Sequence, residues 1–317
     1  MTPKPLRSRV NLKPKLRRKR KWMTICIGVL AADEEAIICI ADRFMAYNTD
    51  IAGETDSVKI FPVGDNGARA LISGTDDAVG RVLAKLIQHD DLGKNRAASM
   101  KYCEDAYREA EREMLAMRFV GPFIKIEAYE AALLKRKVNE VIKAISEEID
   151  QARKDPNQPF FNCGFLLCGF DEHRKPYILN LGAPGGCVDV TQTGFSAMGS
   201  GSSYALQNLL GSGWERKYPI DRAIYEVFDA KSDAEQDPNV GWDWDAVVLT
   251  ADKSVSIPED TKTMLDQVLV KQNRSPYVEF DPEKHMPLPP EDWKAKLKTF
   301  AETIIPPEPQ KRDDDSK

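Results

Sequence analysis

The chain has 317 residues, enough for one large domain with a sizeable core or for two modest ones. Hydrophobic residues make up 42% and charged residues 30%, which fits a soluble globular protein, and no apolar run approaches the ~18 residues of a membrane-spanning helix. The formal net charge of −5 is uneven: residues 1–22 hold ten Lys or Arg and no acid, leaving 35 basic against 50 acidic residues in the remainder, a balance that makes the body a poor nucleic-acid binder.

The basic head, 1–22, has four readings. It is a mis-assigned start with Met23 the true initiator, a propeptide, a disordered nucleic-acid arm, or the n-region of a signal in which 23–32 is a short apolar segment. The signal reading competes with a strand, because 24–31 is apolar and is followed at once by a partner, 36–41. Counting along this hairpin is informative. Seven steps lead from Thr24 to Ala31, a short turn follows, and about seven steps return to Asp42, so antiparallel pairing sets Asp42 beside Thr24.

A strand over 57–63, a turn over 64–67 and a strand over 68–73 come next, ending at Gly74. Thr75, Asp76 and Asp77 then read as a helix start, with Val79, Val82, Leu83, Leu86 and Ile87 on one face of a helix over about 75–89. Residues 95–153 are strongly helical, in two stretches of about 96–118 and 127–153 separated by Gly121 and Pro122. Their apolar stripes read as core or interface. Strands follow at 165–169, 177–180 and 187–191, then helices over 204–210 and about 219–234, then a last hairpin from 245–250 and 254–257. Beyond about 270 prolines accumulate, one amphipathic helix fits 291–305, and 311–317 reads as disordered.

Hairpins dominate and the helices come in blocks, which predicts an α+β fold with helices covering antiparallel sheets rather than a doubly wound one. The predicted organisation is a leader over 1–22, one domain over 23–260 carrying a helical insertion at about 95–153, and a tail over 261–317. Neither GxGxxG after a strand nor GxxxxGK[ST] is present, so nucleotide binding has little support. The six cysteines show no CxxC pair and mostly lie in apolar patterns, which reads as the reduced core of a cytoplasmic protein. His89, His173 and His285 are scattered among polar neighbours, so neither a metal nor another cofactor is expected.

Several pieces in a fixed order carry a resemblance: Thr24 opening the first strand, Ala41, Asp42 and Arg43 ending the second, the 57–61 stretch around Lys59, Ile72–Ser73–Gly74 before the first long helix, Gly169–Phe170–Asp171, and the run Met198–Gly199–Ser200–Gly201–Ser202. Over about 24–257 the chain resembles the proteasome β-type subunits among the N-terminal-nucleophile hydrolases, and most of all bacterial proteasome-like proteins that begin Met-Thr. The resemblance implies a four-layer αββα sandwich of two antiparallel sheets and homo-oligomers in rings or related assemblies. It also implies peptide or protein substrates, and leaves room for an unfoldase partner. Carried onto this sequence, Thr24 is the nucleophile, Asp42 and Lys59 orient and tune it, Gly74 supplies the oxyanion N–H, and Ser200 and Asp233 support the amine. Met45, Ala46 and Ile72 would line a pocket for an apolar or medium-sized group.

The sequence departs from that pattern in places. Met23 replaces the glycine that precedes the family's threonine, so initiation at Met23 and removal of Met is a simpler route than self-cleavage. Phe44 stands where a basic residue is usual and Ala46 where threonine is usual. Acids at 233–237 offer rivals to Asp233.

The chemistry needs Thr24 as a chain end. Its α-amine, with an unperturbed pKa of about 7.7–8, then serves as the base for its own hydroxyl. Cys26 is a weaker nucleophile candidate, being internal with no histidine near it in sequence. A reading of another class also stands: a catalytically silent proteasome-like scaffold whose basic arm binds an acidic partner.

Overall fold

The computed structural model describes residues 24–47, 51–54, 58–64, 67–74, 76–88, 92, 95–115, 117, 147, 163–182, 185–271 and 290–306. The basic head, the turn residues 65–66, Thr75, most of the expected helix over 127–153 and the end of the tail lie outside these residues.

The first sheet is built on the expected hairpin. β1 (Ile25–Ala31) pairs with β2 (Ala36–Asp42) in the register Cys26 opposite Ala41 and Ala31 opposite Ala36. Both strands are buried throughout, which is why they read as continuous apolar runs instead of alternating ones. Alternation is still present in where the side chains go. Ile25, Ile27, Val29 and Ala31 face one core, and Cys26 and Leu30 face another. The sheet is completed by β10 (Phe195–Gly199) beside β1, and by β11 (Trp244–Leu249) and β12 (Ser254–Ser256) beyond β2.

A second five-stranded antiparallel sheet runs in sequence order: β5 (Ile60–Val63), β6 (Ala68–Gly74), β7 (Cys163–Phe170), β8 (Pro176–Gly182) and β9 (Gly186–Asp189). The two sheets enclose a core of Leu30, Ile37, Cys39, Leu71, Leu166, Cys168 and Ile178. They approach closely at Gly28, where a Cβ would sit 2.8 Å from Cys168 Sγ and 3.1 Å from Leu166 Cδ2.

Helices close both outer faces. α1 (Asp76–Ile87) and α2 (Arg96–Leu115) bury Val79, Val82, Leu86, Tyr107 and Ala110 with residues of the second sheet. α3 (Ser202–Gly211), α4 (Ile220–Ala234), α5 (Glu259–Lys271) and α6 (Trp293–Ile304) bury Leu209, Ile224, Phe228, Leu265 and Leu297 with residues of the first. Three cores between four layers make this an α+β, αββα sandwich. Among the described residues no helix is long and apolar enough to cross a membrane.

Four elements were not read from sequence. β3 (Phe44–Tyr47) and β4 (Ile51–Glu54) form a separate hairpin directly after β2. β10 adds an edge strand that ends at the Gly199–Gly201 turn. α5 lies at the head of the expected tail, and with α6 it carries the main-domain core past residue 260: Met264, Leu265 and Leu269 of α5 and Leu297, Ala301 and Ile304 of α6 are all buried there. The ring of Trp293 packs on Tyr225 of α4 at 5.4 Å between centroids, and Lys253 Nζ donates to the Thr303 carbonyl at 2.8 Å.

Because Leu297 is buried on the docked face of α6, Leu297→Ala is expected to lower unfolding stability by about 2–5 kcal/mol, read by chemical denaturation. A loss below about 0.5 kcal/mol would show that α6 adds nothing to the domain.

Candidate active site

Asp42, the last residue of β2, is a fully buried carboxyl side chain. Its Oδ1 accepts from the Thr24 hydroxyl at 2.5 Å, from the Ile25 backbone N–H at 3.0 Å and from Lys59 Nζ at 2.7 Å. Its Oδ2 accepts from the Gly241 backbone N–H at 2.9 Å. The register that sets Cys26 opposite Ala41 carries Ile25 opposite Asp42, one residue on from the Thr24 that the residue count set there, and the Thr24 hydroxyl reaches the same carboxylate. Lys59 comes from the second sheet, on the segment just before β5, where its carbonyl accepts from Ile72 N–H of β6 at 3.0 Å. The Lys59 ammonium also lies 2.5 Å from Thr24 Oγ1. Thr24 is 2% exposed and Lys59 3%. The Thr24 hydroxyl thus donates to a carboxylate and accepts from an ammonium in a dry setting, where charge-assisted hydrogen bonds are strong.

The turn after β10 closes over Thr24. Gly199 has φ of 102° and leaves no room for a side chain, since a Cβ would fall 2.1 Å from the Thr24 carbonyl oxygen. Only glycine can stand there. Ser200 follows; its Oγ is buried and has no hydrogen-bond partner among the described residues. A Cβ on Gly201 would meet Val240 Cγ2 at 2.6 Å and Ala234 Cβ at 2.9 Å, so this turn is wedged between Thr24 and the segment that follows α4. Gly74 ends β6 opposite Cys163 with φ of 135°, two residues beyond the Ile72 that pairs with Lys59. It therefore lies at the same end of the sandwich as Thr24.

The other candidates are placed differently. Asp233, on α4, accepts from Asn208 Nδ2 of α3 at 2.7 Å, a helix-to-helix contact. In the segment that follows it, the group that reaches Asp42 is the Gly241 N–H, which has no side chain to announce it in a sequence. Ile72 is buried in the core shared with α1 and α2. Met45 and Ala46 lie on β3, opposite Gly53 and Ala52; their side chains lie outside the described residues. The Cys26 thiol donates to the Ile72 carbonyl at 3.3 Å, and burial, opposed by the nearby Lys59 charge, pushes it up to about 12, which leaves it unreactive near neutrality. Among the described residues no group of His, Cys, Asp and Glu gathers as a metal cluster.

A polar layer backs the site. Arg43 grips Asp245 with two bonds, of 2.9 and 2.6 Å, and Lys262 Nζ lies 3.3 Å from the same carboxylate. Burial alone would push the Asp245 carboxyl up, but these two cations hold it below the usual range. Asp266 on α5 is the opposite case. Burial pushes it up to about 6, against the pull of Lys231 and of Trp244 Nε1 at 3.5 Å, with Glu259 and Asp243 adding to the rise.

No family model matches the chain, and no protein of curated function matches it in sequence. Solved structures do match. The chain is similar to Anbu from Hyphomicrobium sp. strain MC1, solved as a Gly-1 mutant, at 15% identity and a TM-score of 0.53 over 81% of this chain and 99% of that one. It is also similar to Anbu from Pseudomonas aeruginosa, solved as a helical assembly of the Anbu complex, at 14% identity and a TM-score of 0.53 over 84% and 98% of the two chains. At such identities the likeness is one of fold, and the fold is proteasome-like.

The Asp266 environment sets the sign of a pH effect. A carboxyl near 6 in the folded protein and near its ordinary 3.8 in the unfolded chain releases stability as pH rises between those values. Asp266→Asn is expected to stabilise the protein by about 1–3 kcal/mol at pH 7.5 and by nothing at pH 3.5, read by denaturation at both. Lys59→Met strands a buried carboxylate and should cost about 3–5 kcal/mol, a loss that Asp42→Asn in the same chain reduces. Equal stability of the single and double variants would show that the pair is not coupled.

Proposed function

We propose that this chain is a proteasome-like threonine hydrolase that cleaves peptide or other amide bonds through Thr24 exposed as a chain end. The observation that carries the reading is the Thr24 hydroxyl held at 2.5 Å from both the Asp42 carboxylate and the Lys59 ammonium, in a buried site at one end of the sandwich.

Each group has a part. Once residues 1–23 are absent, the Thr24 α-amine takes the hydroxyl proton, directly or through one water. Ser200 Oγ, in the turn packed against Thr24, is available to hold that amine. Thr24 Oγ1 attacks the amide carbon. The Lys59 ammonium stabilises the developing alkoxide, and Asp42 fixes the ammonium. The Gly74 N–H stabilises the tetrahedral oxyanion, an interaction of about 2.7–4 kcal/mol where such donors have been removed. The intermediate collapses as the C–N bond breaks, the protonated Thr24 α-amine passes the proton it took from the hydroxyl to the leaving amine, and an acyl ester remains on Thr24. Water, activated by the amine, releases the acid. Asp233 enters only through α4, whose trailing segment carries Gly241. We extend to this chain the self-assembly that the Pseudomonas structure displays, as a homo-oligomer in a ring or related form.

Intact-mass analysis of the purified protein should give a chain beginning at Thr24, and a threonine-directed epoxyketone or β-lactone should modify that residue. Thr24→Ala should abolish labelling and lower amidase turnover on the order of 10³-fold or more. A chain that keeps residues 1–23 and is still fully active overturns the mechanism. One that keeps them, is unlabelled and assembles is the silent scaffold instead.

A further inference from the structure

We propose that Lys231 is a positioning residue of this site: its buried ammonium clamps the Trp242 carbonyl and so aims the neighbouring Gly241 N–H at Asp42. This rests on the threonine-hydrolase reading for its kinetic consequence, though not for the clamp itself.

Lys231 lies in the last turn of α4 and is 0% exposed. A lysine there looks like one half of an ordinary i,i+4 pair with Glu235, whose carboxylate it does contact. Such pairs contribute little at a surface, and in a core the loss of hydration of both ions is large. Retaining the pair in the interior therefore calls for a third partner, and Lys231 Nζ donates to the Trp242 carbonyl at 2.5 Å. The position also suits a cation, since the C-terminal end of a helix is electronegative.

The segment from 235 to 243 is anchored in the core by Val240, which packs against Gly201. It begins as a self-contained turn, with Val240 N–H donating to the Asp237 carbonyl and Asp237 Oδ1 accepting from Asn239 N–H. The Trp242 side chain is 56% exposed, so burial of the indole does little to fix this residue. Yet Gly241 to Asp243 is where the segment meets the site. Gly241 N–H goes to Asp42 Oδ2 at 2.9 Å, and Arg43 N–H donates to the Asp243 carbonyl at 2.8 Å. The Lys231 bond lands on the residue between these two. Removing it frees the Gly241 amide to drift, leaves Asp42 Oδ2 without its donor, and lets the carboxylate turn against Lys59 and Thr24. A displacement of ~1 Å at reacting groups is enough to cost about 10²-fold in rate.

The test compares purified wild-type protein with Lys231→Met and with Lys231→Met/Glu235→Met, the second of which removes both members of the ion pair and guards against a failure to fold. Two measurements follow: backbone hydrogen exchange at Gly241, and the saturation kinetics of Thr24 labelling by a β-lactone. The expected result for the folded double variant is exchange at Gly241 faster by about tenfold or more. Its maximal labelling rate should fall by about tenfold while half-saturation stays within about twofold, a split that a merely structural loss would not produce. Wild-type exchange at Gly241, or a maximal labelling rate within about twofold of wild type, overturns the proposal. Absence of labelling in the wild-type protein overturns the threonine reading instead, and exchange at Gly241 then decides the clamp by itself.

Discussion

A carboxylate taken out of water loses hydration worth several kcal/mol even after relaxation. At Asp42 that loss is offset by four donors from three separate parts of the chain: the hydroxyl of Thr24 and N–H of Ile25 on β1, the ammonium of Lys59 on the second sheet, and the N–H of Gly241 after α4. The requirement works in both directions. Asp42 can be buried because those groups converge on it, and they are held in place because a buried carboxylate needs hydrogen-bond donors. The distance between the sheets, the length of the first hairpin and the path of the 235–243 segment are all tied to this one group.

The fold and the site were legible to different degrees, for physical reasons. The first hairpin could be counted because β1 is an uninterrupted apolar run of seven residues and β2 one of six that ends at Asp42, joined by a four-residue turn. That turn has no glycine, although Ala32, Asp33 and Glu34 all take positive φ, so its type could not be read from composition. Lys59 needed the family resemblance, because nothing local says that a lysine on one sheet will reach a carboxylate on another. Gly241 acts through a backbone N–H, which every residue except proline has. Lys231 sits among Asp229, Ser232 and Asp233, and such a stretch of polar letters reads as a solvated face although it is largely buried. α5 was hidden by its neighbour: the prolines after 275 mark a linker, and the apolar face of Met264, Leu265, Val268 and Leu269 was absorbed into it.

Asp233 shows how a pattern carried over by order alone can land one feature away. A polar side chain near the end of α4 was expected beside the amine, and the acid at 233 instead ties α4 to α3 through Asn208. The neighbourhood was right in the sense that matters for packing, since Ala234 and Val240 press on Gly201 and through that turn on Thr24. What reaches the site from there is main chain.

The close approach of Gly199 to Thr24 has a bearing on chain ends in general. First residues usually fray, and a nucleophile on a fraying end would have to be captured afresh in every catalytic cycle. Thr24 is gripped along its main chain, with Gly199 against its carbonyl and the next amide hydrogen-bonded to Asp42. In the proposed reading, with every preceding residue lost, these main-chain contacts would set the entropy of aligning this residue against folding instead of against each turnover.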